Sequence, residues 1–232
     1  MVFRKLLTFL LITYIPLLFA QESKVYFDDA LAQHIGKFNI KSDLAIKNEM
    51  PHKVDALFDT LIRTHIKNTY ISDLKFKKIT GGTLHTEHID KPFLLITKNS
   101  AIIQSKEEIK TINALANAYN GKVAVVVLYW NKKAIAKNES RHYNKNIIVV
   151  YADERRNDFN HALSALKYSF GTPACFYINQ YKQISDIDRK FFLKNLNETT
   201  QELFADRAHR SIAELLANQT DTALLQTPKA HR

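Results

Sequence analysis

Two apolar runs separated by an amphipathic segment constrain the fold of this chain more than any other feature of its sequence. The first run is Phe93–Thr97 and the second is Val123–Tyr129, and both contain almost no polar residues. Between them, residues 106–119 repeat apolar side chains at helical spacing. Strands that are apolar on both faces and are joined by a helix are typical of parallel strands at the centre of an α/β sheet.

Further strand and helix signals surround this centre. Residues 74–79 and 83–85 alternate apolar and polar side chains on either side of a Gly-Gly turn, which predicts a β-hairpin. The remaining predicted elements are three strands, at residues 146–151, 174–179 and 183–185, and one helix at residues 159–168. The sequence therefore predicts an α/β fold, in which a mixed central sheet is flanked by helices on both faces.

Helices are also predicted at the two ends of the chain. Residues 21–70 form an N-terminal helical extension with a connection near residues 41–50, and the main domain spans residues 71–190. A long C-terminal helix with its tail occupies residues 191–232, and its buried side begins at Ile187. The charges of Lys132 and Lys133 are assigned to a solvated loop.

The first twenty residues predict a signal peptide. Arg4 and Lys5 are followed by the apolar stretch Leu6–Phe19 and by Ala20, a small residue at a processing site. The apolar stretch is too short for a typical spanning helix, although an uncleaved N-terminal anchor remains an alternative. We therefore expect an exported protein, periplasmic or extracellular, with no stable membrane insertion after cleavage.

Charge and cysteine content exclude some functions. The formal net charge is +10, but the lysines are scattered along the sequence. The sequence lacks a dense basic block with interleaved aromatic residues, which is the pattern that would predict nucleic-acid binding. Cys175 is the single cysteine, so no intramolecular disulfide can form. The stability of the fold must therefore come from burial of a hydrophobic core.

Three stretches carry a resemblance to a known family: Asp90–Ile96, Glu107–Ala116 and Phe170–Asn179. Through them, residues 73–190 resemble the thioredoxin-like domains of the TlpA, redoxin and peroxiredoxin group. The resemblance implies a redox CxxC motif between the first central strand and the next helix. Ile102 and Ser105 occupy the two cysteine positions, so the motif is absent. Ser105 is instead predicted to cap the helix, in a capping box with Glu108.

The resemblance also implies a peptide-binding surface. Pro173 corresponds to the family's cis-proline, which either preserves the fold alone or also exposes the backbone of Thr172 to an extended polypeptide. Trp130 ends a predicted central strand near residues 98–105, so it is either a groove residue at the same edge or an ordinary strand-end aromatic. Cys175 is either a small core residue or a lone reactive thiol. His85 and His88 have spacing that a metal could use but lack a third ligand nearby, so no metal and no cofactor is expected.

These residues predict a non-catalytic binding or scaffold protein for a polypeptide partner in the cell envelope. The main alternative is a protein of the thiol-disulfide oxidoreductase family, acting through Cys175 or with a cysteine-bearing partner in cell-envelope redox homeostasis. A third alternative is an accessory protein that handles heme or a metal.

Overall fold

The computed structural model describes residues 24–99, 105–153, 164–166, 174–189, 202 and 205–217. Its centre is a seven-stranded mixed sheet with helices on both faces, which confirms the predicted fold class. The strands are β1 (Lys75–Lys78), β2 (Thr83–His85), β3 (Phe93–Lys98), β4 (Ala124–Tyr129), β5 (Ile147–Tyr151), β6 (Ala174–Ile178) and β7 (Ile184–Asp188).

The strand order is β2-β1-β5-β4-β3-β6-β7. Strands β3, β4 and β5 are parallel, and the other neighbouring strands pair antiparallel. All six residues of β3 are buried, because helices cover both faces of the sheet there. The continuous apolar runs of β3 and β4 therefore correspond to the central strands, as the sequence predicts.

Helices divide the core into two layers. On one face lie α1 (Phe27–Lys47) and α2 (His52–Leu61), which is continued by a π-helical turn at Ile62–Ile66. On the other face lie α3 (Lys106–Ala118) and the C-terminal helix at residues 205–217. The short helix α4 (Lys133–Glu139) follows β4.

Three predicted boundaries are wrong. Helix α1 runs to Lys47, through the connection predicted at residues 41–50, because buried Ala45 continues its packed face. Ile187 lies in β7 and not in the C-terminal helix. The sequence predicts a strand that ends at Ser185, but the polar residues on either side of Ile187 continue this edge strand to Asp188. Lys132 and Lys133 are exposed, as predicted, but they are the N-cap and the first residue of α4 and not part of a loop, because this helix is too short to show a clear apolar period.

Several predictions concern residues outside the described ranges. These are the signal peptide at residues 1–20, most of the helix at residues 159–168, the site residues Ile102, Thr172 and Pro173, and the tail after residue 217. Within the described part of the chain, no helix combines the length and the apolarity that crossing a bilayer requires.

Candidate functional site

The candidate site lies where β3 and β4 end and α3 begins. We call it the strand-end site and define it by Lys98, Ser105, Glu108 and Trp130. Lys98 is the last residue of β3, Trp130 follows β4 directly, and the carbonyl oxygen of Lys98 accepts a hydrogen bond from the backbone N–H of Trp130 at 2.9 Å. Ser105 is the N-cap of α3, and Glu108 lies in its first turn. Two parallel strands and one helix N-terminus therefore meet at this edge of the sheet.

Ser105 caps α3, which confirms the predicted N-cap. Its backbone is extended, and its Oγ accepts a hydrogen bond from the backbone N–H of Glu108 at 3.0 Å. The capping box is only half formed, because the carboxylate of Glu108 turns to Lys98 in the sheet. The Ser105 hydroxyl thus serves the helix backbone.

Replacing Ser105 with alanine tests the cap. We expect Ser105→Ala to lower the free energy of unfolding by about 1 kcal/mol, because one backbone N–H of α3 loses its acceptor. Urea unfolding followed by circular dichroism measures the loss. Ser105→Asp keeps an acceptor at the same place and should remain close to the wild type. Equal losses in the two variants would show that capping does not explain the role of Ser105.

Lys98 and Glu108 form a buried ion pair between Nζ and Oε1. Their side chains are 3% and 8% exposed, respectively. Burial lowers the pKa of the Lys98 ammonium from its ordinary value, whereas the carboxylate of Glu139 at the end of α4 opposes that shift. The adjacent Glu108 carboxylate likewise favours the charged form of Lys98. This pair joins the end of β3 to the first turn of α3, and the sequence did not predict it.

Trp130 is 1% exposed, and it belongs to the core cluster on the α1 and α2 side of the sheet. Leu95, Leu128 and Phe176 are members of the same cluster. Sequence reasoning assigned Trp130 to a groove that contacts a polypeptide. The structure places the indole inside the core and not in an exposed groove.

Cys175 lies in β6 opposite Ile96 of β3 and Asp188 of β7. Its side chain is 0% exposed and packs in the core layer beneath α3 and the C-terminal helix. Burial raises the pKa of the Cys175 thiol well above its ordinary value, and the Asp188 carboxylate adds to that effect. An inaccessible thiol that resists ionisation is the opposite of a reactive cysteine.

Thr97 fixes the start of β6 against the end of β3. Its Oγ1 accepts a hydrogen bond from the Ala174 backbone N–H at 3.2 Å and lies 3.3 Å from the Ala174 carbonyl oxygen. Thr172 and Pro173 directly precede Ala174 in the chain. They lie outside the described residues, so their role in binding a polypeptide stays a prediction.

The two histidines of the hairpin region lie close together. The rings of His85 and His88 stack at a centroid distance of 4.9 Å, and His85 Nδ1 lies 3.4 Å from Asp73 Oδ2. Among the residues that the structure describes, no group of three or more His, Cys, Asp or Glu side chains could hold a metal ion.

The order and direction of the strands around β3, together with α3 packed behind β3 and β4, define a thioredoxin-like fold. Its strand-end site has no cysteine pair, since the chain contains one cysteine in all. No protein-family model matches the sequence, and no curated protein matches it.

Several solved structures of thiol-disulfide oxidoreductases are similar to this chain. A DsbF homologue from Corynebacterium diphtheriae is 14% identical over 64% of this chain and 87% of its own, with a TM-score of 0.49. A secreted disulfide oxidoreductase from Mycobacterium tuberculosis is 14% identical over 61% of this chain and 96% of its own, with a TM-score of 0.44. The exposed lipoprotein thioredoxin Etrx1 from Streptococcus pneumoniae is 12% identical over 59% of this chain and 99% of its own, with a TM-score of 0.43.

Proposed function

We propose that this protein is a non-catalytic binding or scaffold protein for a polypeptide partner and that it acts outside the cytoplasm. The observation that carries the proposal is the position of Cys175, the single cysteine of the chain, in the interior of the sheet. Thiol-disulfide exchange requires an accessible thiolate that attacks a disulfide, and in CxxC proteins a second thiol resolves the mixed disulfide. Cys175 is buried, and the chain has no second cysteine.

The strand-end site supports a binding role for a second reason. Two interactions stabilise the local structure there: Ser105 caps α3, and Glu108 in the first turn of α3 forms an ion pair with Lys98. An ordered framework at the strand-end site would lower the entropic cost of binding a partner on the neighbouring surface. The proposed contact with an extended polypeptide involves Ile102, Thr172 and Pro173, whose role rests on the family resemblance.

The export part of the proposal rests on the N-terminal sequence. The basic start, the apolar stretch Leu6–Phe19 and the processing site after Ala20 are the three features of a secretory signal. Small exported proteins often rely on disulfides. In this chain the two core layers on either side of a fully covered central sheet supply that stability.

Reduction of insulin by dithiothreitol tests the absence of redox catalysis. We expect the wild type and Cys175→Ser to leave the rate at the uncatalysed background, because the buried thiol cannot reach the insulin disulfides. Turbidity from the released insulin B chain measures the rate, and an active thioredoxin serves as the positive control. Turnover above background that disappears in Cys175→Ser would reject the proposal and favour the oxidoreductase alternative.

A further inference from the structure

Helices α1 and α2 form a groove on the side of the sheet opposite to Cys175. The helices are joined through Phe38 and Phe58, whose rings meet edge to face at 6.2 Å, and through His34 and His65, whose rings stack at 3.6 Å. Along this contact lie two cavities of about 120 and 410 Å³, which share Lys41 and other lining residues. We call these two cavities the α1–α2 groove.

The larger part of the groove is apolar. Leu44, Ala45, Met50, Ala56 and Leu57 line it. Leu44 is 53% exposed, although it lies in a well-formed helix whose other side is packed. A concave apolar surface of this kind is the feature by which helical grooves bind the apolar face of another helix.

The walls of the groove carry positive charge. Lys37, Lys41 and Lys53 line the two cavities together with His34 and His65, and none of the residues that line either cavity is acidic. Asp59 of α2, for example, lines a different cavity, together with Arg189. Burial, His34 and Lys37 all lower the pKa of the His65 imidazole, which is consistent with a positive field here.

We infer that the α1–α2 groove is a docking site for an acidic amphipathic helix of a polypeptide partner. The apolar floor would bury one face of that helix, and the lysine walls would contact its carboxylates. The concave shape favours a single helix over a flat lipid surface. The inference builds on the proposed binding role, but it uses a surface on the opposite face of the sheet from Cys175.

A labelled synthetic helix can probe the groove. The probe is a peptide of about 15 residues, with leucine at positions i, i+3, i+4 and i+7 and glutamate on its other faces. Fluorescence anisotropy should show that the purified protein binds it, and that Leu44→Gln and Lys41→Glu each weaken binding about tenfold. Raised salt should also weaken binding, since the lysine contacts are exposed.

Two matched controls lie on the same helix. Ile46→Gln and Lys47→Glu change exposed residues of α1 that do not line the groove, so they should bind the peptide as the wild type does. The insulin assay is independent of peptide binding, because the groove contains no cysteine. A failure of the peptide to bind would count against the docking inference alone, whereas reduction of insulin through Cys175 would count against the proposed function.

Four outcomes would overturn the inference. The first is that the wild type does not bind the acidic peptide, and the second is that Leu44→Gln binds it as tightly as the wild type. The third is that the control variants lose as much affinity as the groove variants, and the fourth is that a peptide with lysine in place of glutamate binds equally well. Vesicles of phosphatidylglycerol and phosphatidylcholine provide one further comparison. Binding to vesicles that is lost in Leu44→Gln, with no binding of the peptide, would assign the groove to an anionic lipid surface and reject the helix.

Discussion

Lys98→Met is expected to lower the free energy of unfolding by about 3–5 kcal/mol, because it leaves the buried Glu108 carboxylate without its cation. The loss includes little packing, since methionine retains most of the aliphatic length of lysine. Urea unfolding of the wild type and the variant at neutral pH, followed by circular dichroism, measures the difference. The folded variant should also lose structure first at the start of α3, where the pair holds the helix to β3.

A second variant separates loss of the pair from general damage to the core. Replacing both partners, in Lys98→Met combined with Glu108→Leu, should recover most of the lost stability, because an apolar pair of similar size needs no charge compensation. Lys110→Met changes an exposed lysine of the same helix and should stay within about 0.5 kcal/mol of the wild type. A double variant as unstable as Lys98→Met alone would show that the ion pair is not the cause.

The sequence predicts well those features whose cause is local. Strands β3 and β4 follow from runs of apolar residues that only a sheet covered on both faces can bury. The cap at Ser105 follows from the short sequence distance between the hydroxyl and the N–H of Glu108. The turn at Gly81 and Gly82 is equally local, since both glycines adopt positive φ angles that other residues rarely take.

Features that depend on distant contacts escaped prediction. The buried pair of Lys98 and Glu108 has no local signal in the sequence, because Lys98 meets Glu108 and the neighbouring Glu139 only after folding. Ile187 was assigned to a helix, since its place in β7 depends on pairing with Phe176. Leu44 was placed in a connection, and the groove that it lines exists only because α1 continues to Lys47.

Alkylation of Cys175 in the native protein is expected to be at least about a thousandfold slower than in the unfolded protein. The thiol is inaccessible in the sheet interior, so the reagent can reach it only when β6 separates from its neighbours. Such openings of a central strand approach the full free energy of unfolding, which is about 5–15 kcal/mol for typical domains. Mass spectrometry after timed exposure to iodoacetamide, with and without urea, measures the two rates.

An exposed thiol calibrates this measurement. Lys110→Cys in a Cys175→Ser background places one cysteine on the outer face of α3, and it should react in the native protein nearly as fast as in urea. If Cys175 reacts in the native protein as fast as this control, the thiol reaches solvent without unfolding. The argument against redox activity would then fail, because accessibility is the first requirement for a nucleophilic thiolate. Slow labelling would leave Cys175 as part of the core and leave the chain with no thiol available for exchange.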